Sequence, residues 1–241
     1  MRLVICLPTY NERANLEPVA HALGGVLAEV EAEPRLLVID DSSPDGTGEL
    51  ADQLSGELPF LSVLHRPRKE GLGPAYIAGF QWALQHGADR IVQMDADFSH
   101  DPADVPGLIA ATEKAGLALG SRYVEGGGTE NWGAGRQAIS RFGSFYARAI
   151  LGVPVRDLTG GFKCWRREAL EALPLDRIRT KGYAFQIETT FRAIRAGVEV
   201  AEVPIVFAER RSGGSKMTRG IVLEAVWKVP ALRLRAALNR L

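Results

Sequence analysis

Residues 91–98 read IVQMDADF, and this stretch does most to decide the fold. Its first four residues form an apolar run that predicts a strand, and Asp95 and Asp97 follow where the strand would enter a loop. Because side chains alternate along an extended backbone, both carboxylates would face the same side. Open α/β sheets bind ligands at the carboxyl ends of their strands. Two carboxylates there suit Mg2+ or Mn2+ carried on a diphosphate, although an ordinary polar loop would look the same.

The sequence on both sides of this stretch alternates between strand and helix patterns. Apolar runs predict strands at 3–7, 35–39, 61–64, 91–94 and 117–119. Helical patterns lie between and after them, at about 13–31, 46–55, 75–86 and 103–115. This spacing predicts right-handed βαβ units and an α/β fold with a mostly parallel, twisted sheet flanked by helices.

The second half of the chain predicts a loop, further strands and a terminal helix. Residues 125–135 contain five glycines, and we expect a mobile loop in which Trp132 closes over ligand. Helices are predicted at 136–151 and 185–196, strands at 161–166 and 198–207, and a helix interrupted at Pro230 over 218–241. We therefore expect two parts, a catalytic domain over 1–217 and a basic amphipathic helix over 218–241.

Composition excludes several classes of protein. The 241 residues fit one large α/β domain, and 29 basic residues balance 29 acidic ones, so charge indicates no nucleic-acid partner. The charge is unevenly distributed, however, because residues 205–241 contain eight basic residues and only two acidic ones. Cys6 and Cys164 lack metal-site spacing and are expected to be buried, reduced thiols, as in a cytoplasmic protein. No apolar stretch reaches the roughly 18–20 residues that span a bilayer.

Polar segments follow the other predicted strands. The first strand ends in PTYNE at 8–12, and the second in DDSSPDGT at 40–47, where Asp40 or Asp41 could bind a base or ribose. Residues 68–74, RKEGLGP, place cations before a helix start, which favours phosphate. Each of these signals is weak alone, since strand-to-helix turns often look like this.

The ordered set of motifs resembles glycosyltransferase family 2, and within it the polyprenyl (dolichyl) phosphate mannose synthases. The motifs that carry the resemblance are PTYNE, DDSSPDGT, KEGLGPA, DADFSHDP, GSRY, DLTGGFKCWRRE, KGYAFQIE and EVPIVFAERRSGGSK, at 8–12, 40–47, 69–75, 95–102, 120–123, 157–168, 181–188 and 202–216. They span nearly the whole chain. The resemblance implies a GT-A-type fold and inverting transfer of mannose from GDP-mannose to polyprenyl phosphate.

The resemblance also implies roles for residues at matching positions. The donor would be bound by Pro8, Tyr10, Glu12, Asp40, Asp95, Ala96, Asp97, Arg122 and Lys216. The acceptor phosphate would be bound by Arg136, Arg210 and Lys216, and the catalytic set would be Asp97, Arg122 and Arg210. Mg2+ or Mn2+ would be held by Asp95 and Asp97. Ser99 stands where some members of the family have a glutamine that helps bind the metal.

Membrane attachment and alternative functions stay open at this point. Some members carry C-terminal transmembrane helices, so we expect peripheral contact here, at the cytoplasmic membrane face, with a membrane-anchoring subunit as a candidate partner. Transfer of glucose or another sugar to the same acceptor is the first alternative. A sugar-phosphate nucleotidyltransferase would need a Gly-rich loop after the first strand, which residues 8–12 lack. A non-catalytic lipid-binding module would not need Asp95 and Asp97.

Overall fold

The computed structural model describes residues 1–178, 180, 182–209 and 219–238. The strands are β1 (Arg2–Thr9), β2 (Glu33–Asp40), β3 (Leu61–His65), β4 (Arg90–Gln93), β5 (Leu117–Ser121), β6 (Gly128–Thr129), β7 (Lys163–Arg166), β8 (Val200–Pro204) and β9 (Val206–Phe207). The α-helices are α1 (Arg13–Leu27), α2 (Thr47–Glu57), α3 (Leu72–Gln85), α4 (Val105–Ala111), α5 (Ala134–Leu151), α6 (Arg167–Glu171), α7 (Tyr183–Arg195) and α8 (Arg219–Ala237). Short 3-10 turns lie at Pro102–Asp104 and Leu175–Arg177.

Seven of the strands form one sheet in the order β3-β2-β1-β4-β7-β5-β8. All neighbours pair in parallel except β7, which is antiparallel to both β4 and β5. The predicted mostly parallel α/β sheet is therefore confirmed, with one reversed strand inserted between β4 and β5. Because β1, β2, β4 and β5 run in the same direction, the loops that follow them meet at one edge of the sheet.

Helices cover both faces of this sheet. Leu3, Ile5 and Leu7 of β1 point to one face, where α1, α2 and α4 pack, and Val4 and Cys6 point to the other, where α3 and α7 pack. This alternation is the one that an extended strand imposes. Both cysteines are buried free thiols, as predicted, and burial raises the pKa of Cys164 to about 12.

The terminal helix packs on the domain through a stripe of its own residues. Val229, Leu232 and Ala236 of α8 are buried against Leu151 of α5 and Phe191 of α7. The helix continues through Pro230, so the predicted interruption there was wrong. Packing of the buried stripe offsets the missing backbone hydrogen bond at proline. The proposed boundary at 217/218 lies outside the described residues.

The Gly-rich segment contains regular structure that its composition did not indicate. Gly128 and Thr129 of β6 pair in parallel with Val206 and Phe207 of β9, as a separate two-stranded sheet. This pairing joins the segment to the chain after β8, while its closure over ligand stays a prediction. No helix within the described ranges has the length and apolarity to span a membrane.

Candidate active site

The loops after β1 and β2 are joined by the carboxylate of Asp40. Asp40 accepts hydrogen bonds from the Thr9 hydroxyl at 3.2 Å and from the Ser43 backbone N–H at 3.0 Å. The Ser43 hydroxyl also donates to Asp40 at 2.5 Å and accepts from the Asn11 backbone at 3.1 Å. Asp40 therefore fixes the shape of these two loops. A further role in binding the donor, which the sequence predicts, remains a prediction.

Tyr10 and Glu12 lie in the same region with different surroundings. The ammonium group of Lys69 lies 3.5 Å from the centre of the Tyr10 ring, a cation–π contact. Glu12 accepts a hydrogen bond from the Asn15 side chain at 2.9 Å, and its backbone N–H donates to Thr47. The aromatic ring could pack against the planar base of a nucleotide, and the ammonium group could bind its anionic phosphates.

A buried ion pair next to these loops was not predicted. Asp41 and Arg66 are paired with both side chains almost wholly inaccessible, and Arg66 also binds Glu70 at 2.7 Å. Asp41 had been considered only as an alternative to Asp40 for binding a base or ribose. The paired guanidinium fixes the loop after β3, which contains Lys69, relative to the end of β2. No sequence pattern connects Asp41 with a partner 25 residues away.

The DADF loop begins where β4 ends, at the predicted edge of the sheet. Asp97 is buried and accepts a hydrogen bond from the Ser99 backbone at 3.0 Å, while Asp95 is half-buried. Phe98 has a φ of 60°, in the left-handed region of backbone conformation that residues other than glycine rarely adopt. Asn11 and Ser42, in the loops after β1 and β2, have φ values of 58°. Strained backbone of this kind concentrates at functional sites.

Two aromatic residues that the sequence analysis did not select support Asp95. The Tyr76 hydroxyl donates to Asp95 at 3.3 Å, and Tyr76 stacks on Phe185 of α7. Burial, and then the nearby Asp95 carboxylate, raise the pKa of Tyr76 well above its ordinary value, so it stays a donor. His100 accepts from the Asp95 backbone N–H at 3.2 Å and stacks on Phe162.

The residues around Asp95 and Asp97 fit a divalent ion carried on a substrate. Within the described ranges, no group of three or more His, Cys, Asp or Glu side chains could hold a metal. Mg2+ and similar ions, however, commonly bind through one or two carboxylates plus substrate phosphates. The Ser99 hydroxyl is buried and has no hydrogen-bond partner among the described residues, so one more oxygen is available beside Asp97.

Arg122, which follows β5, is already bound by protein side chains. Its Nε and Nη2 donate to the two carboxylate oxygens of Asp157, each at 2.7 Å, and Nη2 also donates to Thr159 at 2.8 Å. Burial alone would raise the pKa of Asp157, but the Arg122 charge and hydrogen bonds lower it below its ordinary value. Arg122 thus joins the end of β5 to the loop before β7. Its predicted contact with phosphate stays a prediction.

The loop before α5 forms an aromatic and cationic cluster beside Arg122. The Arg136 guanidinium lies 4.0 Å from the centre of the Trp132 ring and donates to Glu209 at 3.0 Å. Trp132 also packs edge-on against Phe207, with 5.3 Å between ring centres. Neither Trp132 Nε1 nor Arg136 Nε has a hydrogen-bond partner within the described part of the chain. Two N–H donors are therefore available for a ligand.

Phe207 connects this cluster to the carboxylate loop. Its ring lies 5.2 Å from the ring of His100, which binds the Asp95 backbone, and 5.4 Å from the Arg122 guanidinium. The Phe207 ring therefore lies within 5.2–5.4 Å of His100, which binds the carboxylate loop, and of Arg122 and Trp132 in the cluster. Arg210 and Lys216, predicted for the same region, lie outside the described residues.

This geometry agrees with what the chain resembles among known proteins. The model of the family described as Glycosyl transferase family 2 matches residues 4–173. The chain belongs to this family.

Two relatives of this glycosyltransferase are similar over nearly its whole length. It is 48% identical over 236 residues to the undecaprenyl-phosphate mannosyltransferase of Micrococcus luteus, covering 98% of this chain and 96% of that protein. It is 45% identical over 241 residues to the polyprenol monophosphomannose synthase of Mycolicibacterium smegmatis, covering 99% of this chain and 89% of that protein. The resemblance predicted from the motifs is therefore confirmed.

Solved structures confirm the GT-A-type architecture. The glucosyl-3-phosphoglycerate synthase of Mycobacterium tuberculosis, in complex with UDP, superposes with a TM-score of 0.67 at 20% identity, covering 96% of this glycosyltransferase and 80% of that chain. Its complex with Mn2+, UDP and glucosyl-3-phosphoglycerate gives a TM-score of 0.64 at 21% identity, with coverage of 99% and 79%. At this level of identity the likeness shows the fold.

Proposed function

We propose that the chain transfers mannose from GDP-mannose to polyprenyl phosphate, giving β-linked polyprenyl phosphate mannose and GDP. The observation that carries this proposal is that Phe207 contacts both His100, which binds the Asp95–Asp97 loop, and the cluster of Arg122 and Trp132, with Arg136 over the Trp132 ring. The loop is suited to a nucleotide diphosphate with a divalent ion, and the cluster to another phosphate. Two relatives that match along almost the full chain are named for mannosyl transfer to polyprenyl acceptors.

Asp95 and Asp97 would hold Mg2+ or Mn2+, with the Ser99 hydroxyl available beside them. When bound, such an ion stabilises negative charge on the departing diphosphate. The Mn2+ in the complex of the M. tuberculosis structural relative supports this choice of ion. Tyr76 and His100 hold the Asp95 side chain and backbone respectively, so the loop is positioned before the donor binds.

The chemistry then needs little from protein bases. The nucleophile is an oxygen of the acceptor phosphate, which is already ionised at neutral pH, and it attacks C1 of the sugar. The bond between C1 and the diphosphate oxygen breaks, and the electron pair leaves with GDP. One in-line displacement inverts the configuration at C1, so an α-linked donor gives a β-linked product.

The arginines on the other side of the site would bring two anions together. Arg136 has an N–H donor without a partner among the described residues, and its guanidinium lies over the Trp132 ring. A planar guanidinium binds phosphate through two parallel hydrogen bonds. We assign Arg136, with Arg210 and Lys216 from the segment beyond the described residues, to the acceptor phosphate. Pro8, Tyr10, Glu12, Asp40 and Ala96 belong to the donor side in the same proposal.

Product analysis with purified protein tests the proposal. Polyprenyl phosphate is incubated with Mg2+ or Mn2+ and, separately, with GDP-mannose, GDP-glucose and UDP-glucose, and lipid products are identified by mass spectrometry. We expect a mannosylated lipid phosphate from GDP-mannose and an at least tenfold lower yield from the glucose donors. If a glucose donor is preferred, the assignment of GDP-mannose as the donor is wrong. If none of the donors gives a product, the proposed function is contradicted.

A further inference from the structure

Helix α5 has two opposite faces of very different exposure. Its buried face consists of Ser140, Ser144, Ala147 and Leu151. Ile139, Phe142 and Phe145 recur every three residues and are 52%, 66% and 66% exposed. At about 100° of rotation per residue, the centre of this exposed set lies roughly 180° from the buried set. The apolar ridge of α5, as we call Ile139, Phe142 and Phe145, therefore points away from the domain.

A second exposed apolar stripe lies on the neighbouring helix. Trp227 and Leu234 of α8 are 77% and 61% exposed, and Leu238, directly after the helix, is 53% exposed, although the same helix buries Val229 and Leu232. The two helices are joined where the Tyr146 hydroxyl donates to the Val226 carbonyl at 2.8 Å. These six large apolar side chains are thus uncovered on adjacent parts of the surface. A protein surface rarely exposes so much apolar area unless another surface covers it.

The charges on these helices indicate which kind of surface that is. Residues 134–151 contain three arginines, Arg136, Arg141 and Arg148, and no Asp or Glu. Residues 219–238 contain four cations, Arg219, Lys228, Arg233 and Arg235, and one acidic residue, Glu224. Helices that combine exposed aromatic and aliphatic residues with basic ones bind at the surface of anionic bilayers.

We propose that the apolar ridge of α5 docks this enzyme on an anionic phospholipid bilayer. Phe142 and Phe145 would enter the region between head groups and acyl chains, with Arg141 and Arg148 at the phosphates. This inference rests on the proposed lipid-phosphate acceptor. It places the principal membrane contact on α5 and not on the basic amphipathic helix predicted over 218–241, because Val229 and Leu232 of that helix face the protein.

Docking through α5 would also position the active site. The helix begins at Ala134, two residues after Trp132, and has Arg136 in its first turn. The end of the ridge at Ile139 is therefore one helical turn from the arginine assigned to the acceptor phosphate. A bilayer held against Phe142 and Phe145 brings lipid phosphates close to that arginine.

Sedimentation with vesicles tests the docking surface. The full chain is mixed with vesicles of equal parts phosphatidylcholine and phosphatidylglycerol, or of phosphatidylcholine alone. We compare wild type with Phe142→Ser/Phe145→Ser and with Phe142→Leu/Phe145→Leu, which keeps the apolar area. The serine variant should bind anionic vesicles at least about tenfold more weakly, while the leucine variant stays within about threefold of wild type. Binding of the serine variant at the wild-type level would overturn the proposal.

A fluorescent label gives an independent measurement in an almost unchanged protein. Because Cys6 and Cys164 are fully buried, a thiol-reactive, environment-sensitive dye should react selectively at an introduced Phe142→Cys. Its emission should shift to shorter wavelength when anionic vesicles are added. The same dye at Glu57→Cys, exposed at the end of α2, should not shift. Equal behaviour of the two labels would contradict docking through α5.

Two further measurements separate this inference from its alternatives. If wild type is a dimer in light scattering and the serine variant a monomer, the ridge is an interface between copies and the proposal fails. The serine variant should keep wild-type turnover on a short, water-soluble prenyl phosphate and lose turnover on acceptor embedded in vesicles. Absence of transfer by wild type on any acceptor would refute the proposed function, whereas vesicle binding would still report on the ridge.

Discussion

The two sides of the active site differ in which buried groups lack a partner among the described residues: on the donor side it is the Ser99 hydroxyl, and on the acceptor side it is two N–H donors. On the donor side, Asp40, Asp41 and Asp97 all bind protein donors at the ends of their strands. On the acceptor side, Trp132 and Arg136 each have a buried N–H without a partner within the described residues. Beyond them, α5 exposes a row of apolar side chains.

This difference matches the two substrates proposed for the enzyme. A nucleotide sugar is small and always presents the same groups, so a rigid set of carboxylates and strained turns can be prepared for it. A lipid phosphate arrives with a long chain in a bilayer, and the protein must offer both cationic donors and apolar surface. The donor side is therefore preorganised for its substrate, whereas the acceptor side offers cationic donors and exposed apolar surface.

The largest effect should come from the carboxylate loop. Asp97→Asn keeps an oxygen that can accept from the Ser99 backbone but removes the charge that holds the ion. We expect transfer to fall about a thousandfold, with an unchanged thermal unfolding midpoint. Activity close to wild type, or wild-type activity undiminished in excess EDTA, would remove the metal assignment and with it the donor side of the comparison.

Breaking the buried pair on the acceptor side should act mainly on stability. Asp157→Asn removes the carboxylate that is paired with the buried Arg122 charge, which should cost about 3–5 kcal/mol of unfolding free energy in urea titrations. Glu171→Gln, in the exposed pair with Arg167, is the matched control and should cost less than about 1 kcal/mol. Similar losses of unfolding free energy in both variants would show that the buried Arg122–Asp157 pair contributes no more to stability than an exposed pair.

The pH dependence of the same pair has a defined sign. The pKa of Asp157 is lowered from an ordinary value of 3.8, so its contribution to stability is complete above that value and is lost as the pH falls below it. Wild type should therefore lose more stability than Asp157→Asn below about pH 4. Equal acid sensitivity of the two proteins would mean that the carboxylate is not stabilised by Arg122.

A smaller effect is expected at the acceptor phosphate. Arg136→Gln should raise the KM for a short, water-soluble prenyl phosphate about tenfold and leave the KM for GDP-mannose within about twofold, since one of several cations is lost. Arg195→Gln, exposed at the end of α7, serves as the control on the same substrates. An equal rise in both KM values for Arg136→Gln would erase the distinction between the two sides.

Much of the fold followed from local patterns. The apolar runs predicted β1, β2, β3, β4 and β5 within three residues at each end, because buried parallel strands are nearly continuous in apolar residues. The reversal of β7 was not predictable in this way, since apolar runs do not indicate strand direction, and this strand begins at Lys163. That lysine is fully buried and donates to the Gln186 backbone, the Gln186 side chain and Thr189. Only the tertiary partners explain a lysine at that position.

The residues of the active site likewise fall into those that local patterns predicted and those that only the tertiary structure reveals. Asp95 and Asp97 were found because they directly follow a strand, and the motif set supplied the rest of the donor side. Asp157 and Tyr76 were assigned no role because their partners are distant in sequence: Arg122 lies 35 residues from Asp157, and Asp95 lies 19 residues from Tyr76. The exposure of Phe142 and Phe145 was also missed. The large apolar side chains of a helix usually face the core, whereas the buried face of this helix consists of Ser140, Ser144, Ala147 and Leu151.

Binding of GDP tests the central division of the site most directly, because it requires neither acceptor nor catalysis. Calorimetric titrations with GDP and Mn2+ would compare wild type, Asp95→Asn/Asp97→Asn and Arg136→Gln, each with and without EDTA. Metal-dependent binding by wild type and by Arg136→Gln, and its loss in the double aspartate variant, is the result we predict. Metal-independent binding that is equal in all three proteins would contradict the placement of the donor diphosphate at the Asp95–Asp97 loop.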